Sequence, residues 1–384
     1  MRTNAVWLLL ILGICSRPAD TSAQAPTPGQ VGGQSLNPDI SAIGELLIDF
    51  SSRRPKTTSS GQRFEVREVE LGIQAVVDPF FRADFFIGLH PEEVEIEEAY
   101  LTALVLPGGF QGRLGRFHVP LGKVNLIHRP EQITIDYPWM IRDFFGDEGL
   151  ASNGVGLSRV FAPLGFFQEL HVYALSGLGS HEHAHGEEEE EPADDDVLAA
   201  NDDLLNQVAF VAQLRNYVNL SQAANVEFGV SAGTGRIREL EASGIGTPAF
   251  REVFETQRYY GAHVTFRWRP AQQGLYRSFI WNNEVLVNDG HEGKRLGAFS
   301  QAQYQLTRRT YLGGRFDAVQ TLDESAEKNW FNAVSGYVTA FPSEFSRFKL
   351  GVERTFGNGD PFGGEWRAVL QTTFAIGPHR PHAF

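Results

Sequence analysis

Residues 224–232 read Ala-Asn-Val-Glu-Phe-Gly-Val-Ser-Ala. Ala224, Val226, Phe228, Val230 and Ala232 are apolar, and the residues between them are polar or tiny. A period of two is the pattern of a β-strand with one apolar face. It recurs at Val69, Leu71, Ile73, Ala75 and Val77, at Phe81, Ala83, Phe85, Ile87 and Leu89, and at Leu296, Ala298, Ser300, Ala302, Tyr304 and Leu306. The second face of most of these strands carries Gln, Glu, Arg or His. A soluble sandwich would need that face to be apolar too, so that two sheets could share a dry core. An apolar outside and a wet inside describe a closed barrel in a membrane, which also leaves no strand edge unpaired. The expected fold class is all-β, a transmembrane antiparallel up-and-down β-barrel.

The connections give the strand count. Strand candidates start near Ile40, Phe64, Phe80, Val94, Phe110, Ser152, Phe167, Gln207, Gln222, Gln257, Leu275, Leu296, Thr310, Trp330, Phe345 and Glu365. That is about sixteen strands, an even number as such barrels require. Asp78-Pro79, Pro107-Gly108-Gly109, Pro163-Leu164-Gly165, Pro270 to Gly274, Thr307 to Arg309 and Pro342-Ser343-Glu344 read as tight turns. Between them lie long connections at 51–63, 118–150, 176–206, 233–255 and 357–364. With short turns on the periplasmic side and the N-terminus inside, every long connection falls outside. Tyr259, Tyr260, Trp268, Tyr276, Trp281, Trp330, Phe331, Tyr337 and Phe341 fall near strand ends, where interfacial girdles form.

Residues 1–23 read as an export signal: Arg2, then the apolar run Ala5 to Ile14, then small residues Thr21-Ser22-Ala23 before Gln24. Cys15 is the chain's single cysteine and leaves with that segment. Ile14 is too large for the position before a lipidated cysteine. Residues 24–38 are a short flexible leader, and 39–384 form the barrel. The formal charge of −14 is mostly one segment, because His181 to Asp203 holds eleven acids and no Lys or Arg. That segment belongs to the outer connection 177–206. His181, His183 and His185 at alternate positions, followed by Glu187 and Glu188, supply imidazole and carboxylate suited to a borderline divalent metal such as Zn²⁺. A plain solvated loop is the alternative reading.

The connection 118–150 is long enough to be functional. It carries Lys123, His128, Arg129 and Arg142 beside Tyr137, Trp139, Met140, Phe144 and Phe145, and such apolar and aromatic side chains need something to pack against. As the third outward connection it is the candidate constriction. Arg113, Arg116 and Arg159 on the flanking strands complete a candidate basic patch. Alternation turns Arg82, Asp84, Glu227, Arg315, Asp317, Lys349, Glu353 and Arg367 inward; their mixed signs give no strong ion preference.

Phe64 to Gly72, Val94 to Leu106 and Gly112-Arg-Leu-Gly-Arg-Phe-His-Val-Pro-Leu-Gly122 resemble the opening half of the phosphate-selective porin O and P group. Phe345 to Phe356 and Leu370 to Phe384 resemble uncharacterised barrels labelled zinc-regulated outer-membrane receptors. The resemblance implies an outer-membrane channel in a Gram-negative bacterium, with metal or phosphate as solute. The arginine ladder and lysine cluster of the phosphate porins are not found in this sequence. The expected function is a porin-like channel for passive uptake of small hydrophilic solutes or ions; the alternative is a plugged barrel that binds partners at the surface. Expected partners are outer-membrane lipid, the barrel-assembly machinery through Phe384, and small solutes or metal ions. A homotrimer is compatible with this architecture. No nucleophile motif or nucleic-acid-binding run is found, so neither an enzyme nor a nucleic-acid partner is expected. No cofactor is required, with transient Zn²⁺ the one candidate.

Overall fold

The computed structural model describes residues 38–51, 63–91, 93–178, 197–198, 208–243, 249–290, 293–322, 327–360 and 363–377, with side chains outside 197–198 and 237–254. Segment 1–23, nearly all of the leader, most of the connection 177–206 and Phe384 lie outside the described residues. The strands are β1 (Asp39–Asp49), β2 (Phe64–Val76), β3 (Phe81–Leu89), β4 (Val94–Leu106), β5 (Phe110–His118), β6 (Ala151–Phe161) and β7 (Phe167–Leu175). A two-residue strand, β8 (Val197–Leu198), precedes β9 (Ala209–Asn219), β10 (Ala224–Ser243), β11 (Ala249–Trp268), β12 (Phe279–Gly290) and β13 (Gly293–Gln305). The last four are β14 (Thr310–Leu322), β15 (Lys328–Ser343), β16 (Ser346–Phe356) and β17 (Trp366–Ile376).

β8 only adds in parallel to the outer end of β11, and β7 pairs directly with β9. The other sixteen strands form the wall, each antiparallel to its neighbours. β1 pairs with both β2 and β17, which closes the barrel. Closure leaves the wall's backbone groups paired to one another, as a lipid surrounding demands. Alternation sends Phe85, Leu114, Val155, Val230, Phe316 and Val338 outward, where they stay exposed, while Asp84, Glu227, Asp317 and Ser335 turn inward and are buried. The outward face is the lipid surface, so the chain is an outer-membrane β-barrel.

Two readings of the sequence are corrected. The connection expected at 233–255 is a paired hairpin: β10 and β11 stay in register from Ala224 against Trp268 to Ser243 against Ala249. A hairpin satisfies its own backbone, so pairing runs on beyond the lipid belt. The girdle also splits by parity. Tyr260, Tyr276, Trp281 and Trp330 are exposed, but Tyr259, Phe331 and Tyr337 are buried in the lumen. Adjacent residues of a strand take opposite faces.

The connection from β5 to β6 folds into the barrel. It holds short 3-10 turns at Val124–Leu126 and Arg129–Glu131 and the helix α1 (Trp139–Phe145). Pro138 precedes α1, and Gly146, at φ +86°, ends it with its N–H on Arg142 O. Met140, Ile141, Phe144 and Phe145 of α1 are buried against the wall. Phe145 packs on Tyr259 at 5.0 Å, Trp139 on Phe331 at 4.6 Å, and Phe117 on Tyr173 at 5.0 Å between ring centroids. The main dry core thus lies between this loop and the inner wall.

Candidate channel constriction

Asn125 fixes the loop's shape. Its Nδ2 donates to Val119 O (2.8 Å) and Leu150 O (2.9 Å), and its Oδ1 accepts from Leu150 N–H (2.8 Å). One amide therefore clasps the outgoing and returning ends. Tyr137 OH donates to Ile127 O (2.7 Å), folding the middle back on itself.

The loop then meets three arcs of wall. Toward β9–β12, Gly122 N–H donates to Ser231 Oγ (2.9 Å), and the N–H groups of Lys123 and Val124 donate to Glu284 Oε2 (2.9 and 3.1 Å). Lys123 Nζ pairs with Glu227 at 2.7 Å. Burial depresses the Lys123 ammonium to about 8, although Glu227 favours its charged form. Glu227 also accepts from Arg267 (2.9 Å) and Arg215 (3.4 Å). Arg215 also pairs with Glu169 at 3.4 Å, so the three cations of this arc sit among the carboxylates of Glu227, Glu284 and Glu169.

Gly122 is required there for two reasons. Its φ is +74°, and a Cβ there would run into the Glu284 carboxylate. Gly122→Ala should cost about 1–3 kcal/mol from backbone strain alone. The check is a lower denaturant midpoint for release of the loop, with the barrel's strand circular-dichroism signal unchanged.

Toward β13–β17 the contacts are ionic and dense. Arg295 pairs with Asp143 at 2.9 Å, and Trp139 N–H donates to Asp317 (3.1 Å). Arg315 donates to Asp317 (2.6 Å), Thr134 Oγ1 (2.6 Å) and Asp136 O (2.8 Å). Lys349, almost fully buried, donates to the carbonyls of Gln132 (2.9 Å) and Thr134 (2.6 Å). Asp136 is held by Arg367 of β17 and Arg67 of β2, each at 2.8 Å. Burial alone would raise its carboxyl, but Arg367, Arg67 and Arg142 outweigh it and hold Asp136 well below its ordinary value.

Toward β2–β4 the wall is acidic. Register shifts make bulges in β2, at Glu45/Leu46 of its partner, and in β4, at Phe86/Ile87 of its partner. A bulge breaks alternation. Consecutive residues Arg67 and Glu68, and again Glu97 and Glu98, therefore all turn inward and are buried. His128 fits among them: its Nδ1 lies 3.1 Å from Glu70 and 2.9 Å from Glu97, and its Nε2 3.0 Å from Glu98. Burial opposes the imidazolium, yet these carboxylates hold its pKa well above the usual histidine value. Arg129 pairs with Glu68 at 2.6 Å and with Glu148.

Of the expected constriction residues, Lys123, His128, Arg129 and Arg142 lie on the inward-folded loop. Arg142 stacks over Trp139 at 4.1 Å and pairs with Asp147. Arg113 faces inward over Tyr100 at 4.4 Å. Arg116 and Arg159 do not join them. Arg116 shares the outward face with Leu114, pairing with Glu95 at 3.3 Å, and Arg159 lies on the face of Val155 and Leu157, over Phe110. Their parity, legible in the alternation, puts them on the outside. His181, His183, His185, Glu187 and Glu188 lie outside the described residues. The acidic group of Glu68, Glu70, Glu97 and Glu98 escaped the sequence reading, because two adjacent inward residues contradict a period of two.

No family model matches the chain. An uncharacterised protein of Aquifex aeolicus is 26% identical over 342 residues, covering 84% of this chain and 70% of that protein. Similar solved structures include OprB of Pseudomonas putida, with 8% identity, TM-score 0.57, and coverage of 88% of this chain and 94% of that one. OmpT of Vibrio cholerae, an outer membrane protein in a trimer form, has 9% identity and TM-score 0.56 over 88% and 99%. The anion-selective porin of Comamonas acidovorans has 8% identity and TM-score 0.54 over 89% and 99%. At these identities the likeness shows the fold, and the fold is that of the outer-membrane porins.

Proposed function

We propose that the chain is a passive channel for small hydrophilic solutes, narrowed by the loop between β5 and β6. The observation that carries this reading is the loop's position: it crosses the lumen and is tethered by charged side chains to β2, β10, β13, β14 and β17. Lys123, Arg215 and Arg267 gather on Glu227 in one arc, and Glu68, Glu70, Glu97 and Glu98 gather on His128 and Arg129 in another. Paired charges of both signs make the passage polar without favouring either ion. A homotrimer is part of the proposal, supported by the trimer form of the similar Vibrio protein. So is a low-affinity collection of divalent cations by His181, His183, His185 and the acids that follow, which rests on composition.

The test is single-channel recording of the refolded protein in a planar bilayer. Steady ohmic conductance is expected. If Zn²⁺ alters it and the response disappears in H181A/H183A/H185A, the outer segment collects metal. A second reading is favoured by the dry packing of Phe117, Val119, Leu121, Met140 and Phe145 inside the barrel: a barrel closed by its own loop that binds partners at its surface. Silence in the bilayer would select it.

A further inference from the structure

Three ligand atoms converge on one point of the inner wall near the outer rim. The point is the space above Gly88 of β3, where a side chain is missing. A Cβ built on Gly88 would lie 2.6 Å from Glu97 Oε1, 2.9 Å from His90 Nε2 and 3.4 Å from Glu68 Oε1. None of these three atoms has a hydrogen-bond partner among the described residues. Glu68 and Glu97 are more than nine-tenths buried. Two buried carboxylate oxygens with no donor, facing each other, are costly unless a cation or a proton lies between them. All three ligand atoms lie within 4.8 Å of one another.

We propose that Glu68, His90 and Glu97 bind a divalent transition-metal ion of the Zn²⁺ class in the space above Gly88. One imidazole and two carboxylates suit a borderline cation. Ligand atoms around such an ion sit roughly 3.4 Å apart, for bonds of about 2.1 Å, so small side-chain rotations close the site. His90 is only half-buried, leaving an entry path from the rim. The other oxygen of each carboxylate is already held: Glu68 Oε2 accepts from Arg129, and Glu97 Oε2 pairs with His128. Such outer partners orient ligand oxygens toward a metal. They also belong to the constriction loop, so the site shares its carboxylates with two of the loop's tethers. The neighbouring trio Glu97, His118 and His128 is not the site, because both nitrogens of His128 already face carboxylates.

The test is a Co²⁺ titration of the refolded full chain in detergent, read by visible absorption and displaced with Zn²⁺. It is done in the H181A/H183A/H185A background, which removes the outer histidines. One Zn²⁺-displaceable Co²⁺ per chain is expected. H90Q should weaken it by more than about tenfold, as loss of a direct ligand should exceed the 10- to 100-fold range of outer-shell changes at its lower end. G88A should do the same by filling the space while keeping all three ligands. The methyl meets side-chain ends and no backbone, so G88A is expected to fold, which heat-modifiable migration on a gel checks. No stoichiometric Co²⁺ site in the background protein, or a site that survives both substitutions, would overturn the proposal. The readout is spectroscopic, so a barrel that does not conduct leaves this test intact.

Discussion

Replacing residues 123–149 with a short Gly/Ser link should raise single-channel conductance several-fold while the barrel still folds. The barrel survives because its wall is held by inter-strand backbone pairing, closed from β1 to β17, to which the loop contributes nothing. The side chains it abandons are polar. Lys349 loses the carbonyls of Gln132 and Thr134, and Arg315 loses Thr134, but each regains water in an open lumen. Release of a buried charge into water is not the penalty that removal of its partner in a dry site would be. The apolar patch left at Tyr259, Leu286, Phe299 and Phe331 faces that water at some cost in stability. The experiment also separates the two functional readings. A constriction gives a parent that conducts and a variant that conducts more. A plug gives a silent parent and a conducting variant. Equal conductance in both would sink the role of the loop altogether.

The wall was legible in the sequence because lipid on one side and water on the other impose a strict period of two. Phe316 out and Asp317 in, or Val230 out and Ser231 in, follow from parity alone. The inward loop was legible as a segment, since Tyr137, Met140 and Phe144 have no place in a solvated connection. Its tethers were not. Asp136 meets Arg67, 69 positions before it, and Arg367, near the far end of the chain, across a closure that joins β17 to β1. The acidic arc was hidden for a local reason: bulges in β2 and β4 put Glu68 beside Arg67, and Glu98 beside Glu97, on the same face. A bulge writes no periodic signal, only an interruption of one. The point above Gly88 is further removed, because its content is the absence of a Cβ between three side chains from three strand regions.

Asp136→Ala should release the loop's middle from the wall, and acid should mimic it only at a pH far below neutral. Arg67 and Arg367 each lose a 2.8 Å partner. Both are largely buried, and breaking one side of a buried pair costs about 3–5 kcal/mol. Arg67 keeps Glu45 at 2.9 Å and Arg367 keeps a longer contact to Glu353 at 3.8 Å, so the lower end is expected. About 3 kcal/mol shifts the docked-to-released ratio roughly 100-fold. The check is limited proteolysis of the refolded protein, with faster cleavage within 123–149, and bilayer recordings with more frequent high-conductance excursions. The pH dependence follows from the sign of the shift. Asp136 is held well below its ordinary value in the folded protein, by Arg367 and Arg67 against the effect of burial. A depressed carboxylate stabilises fully above its released-state pKa, about 3.9, and loses that contribution as pH falls from there through the folded value. The loop should therefore stay docked from neutral to mildly acidic pH, and release only below that. The Asp136→Ala protein should lack this acid step. A parent whose loop releases near neutrality, or a variant with an unchanged acid profile, would show that the Arg67–Asp136–Arg367 clamp does not hold the constriction in place.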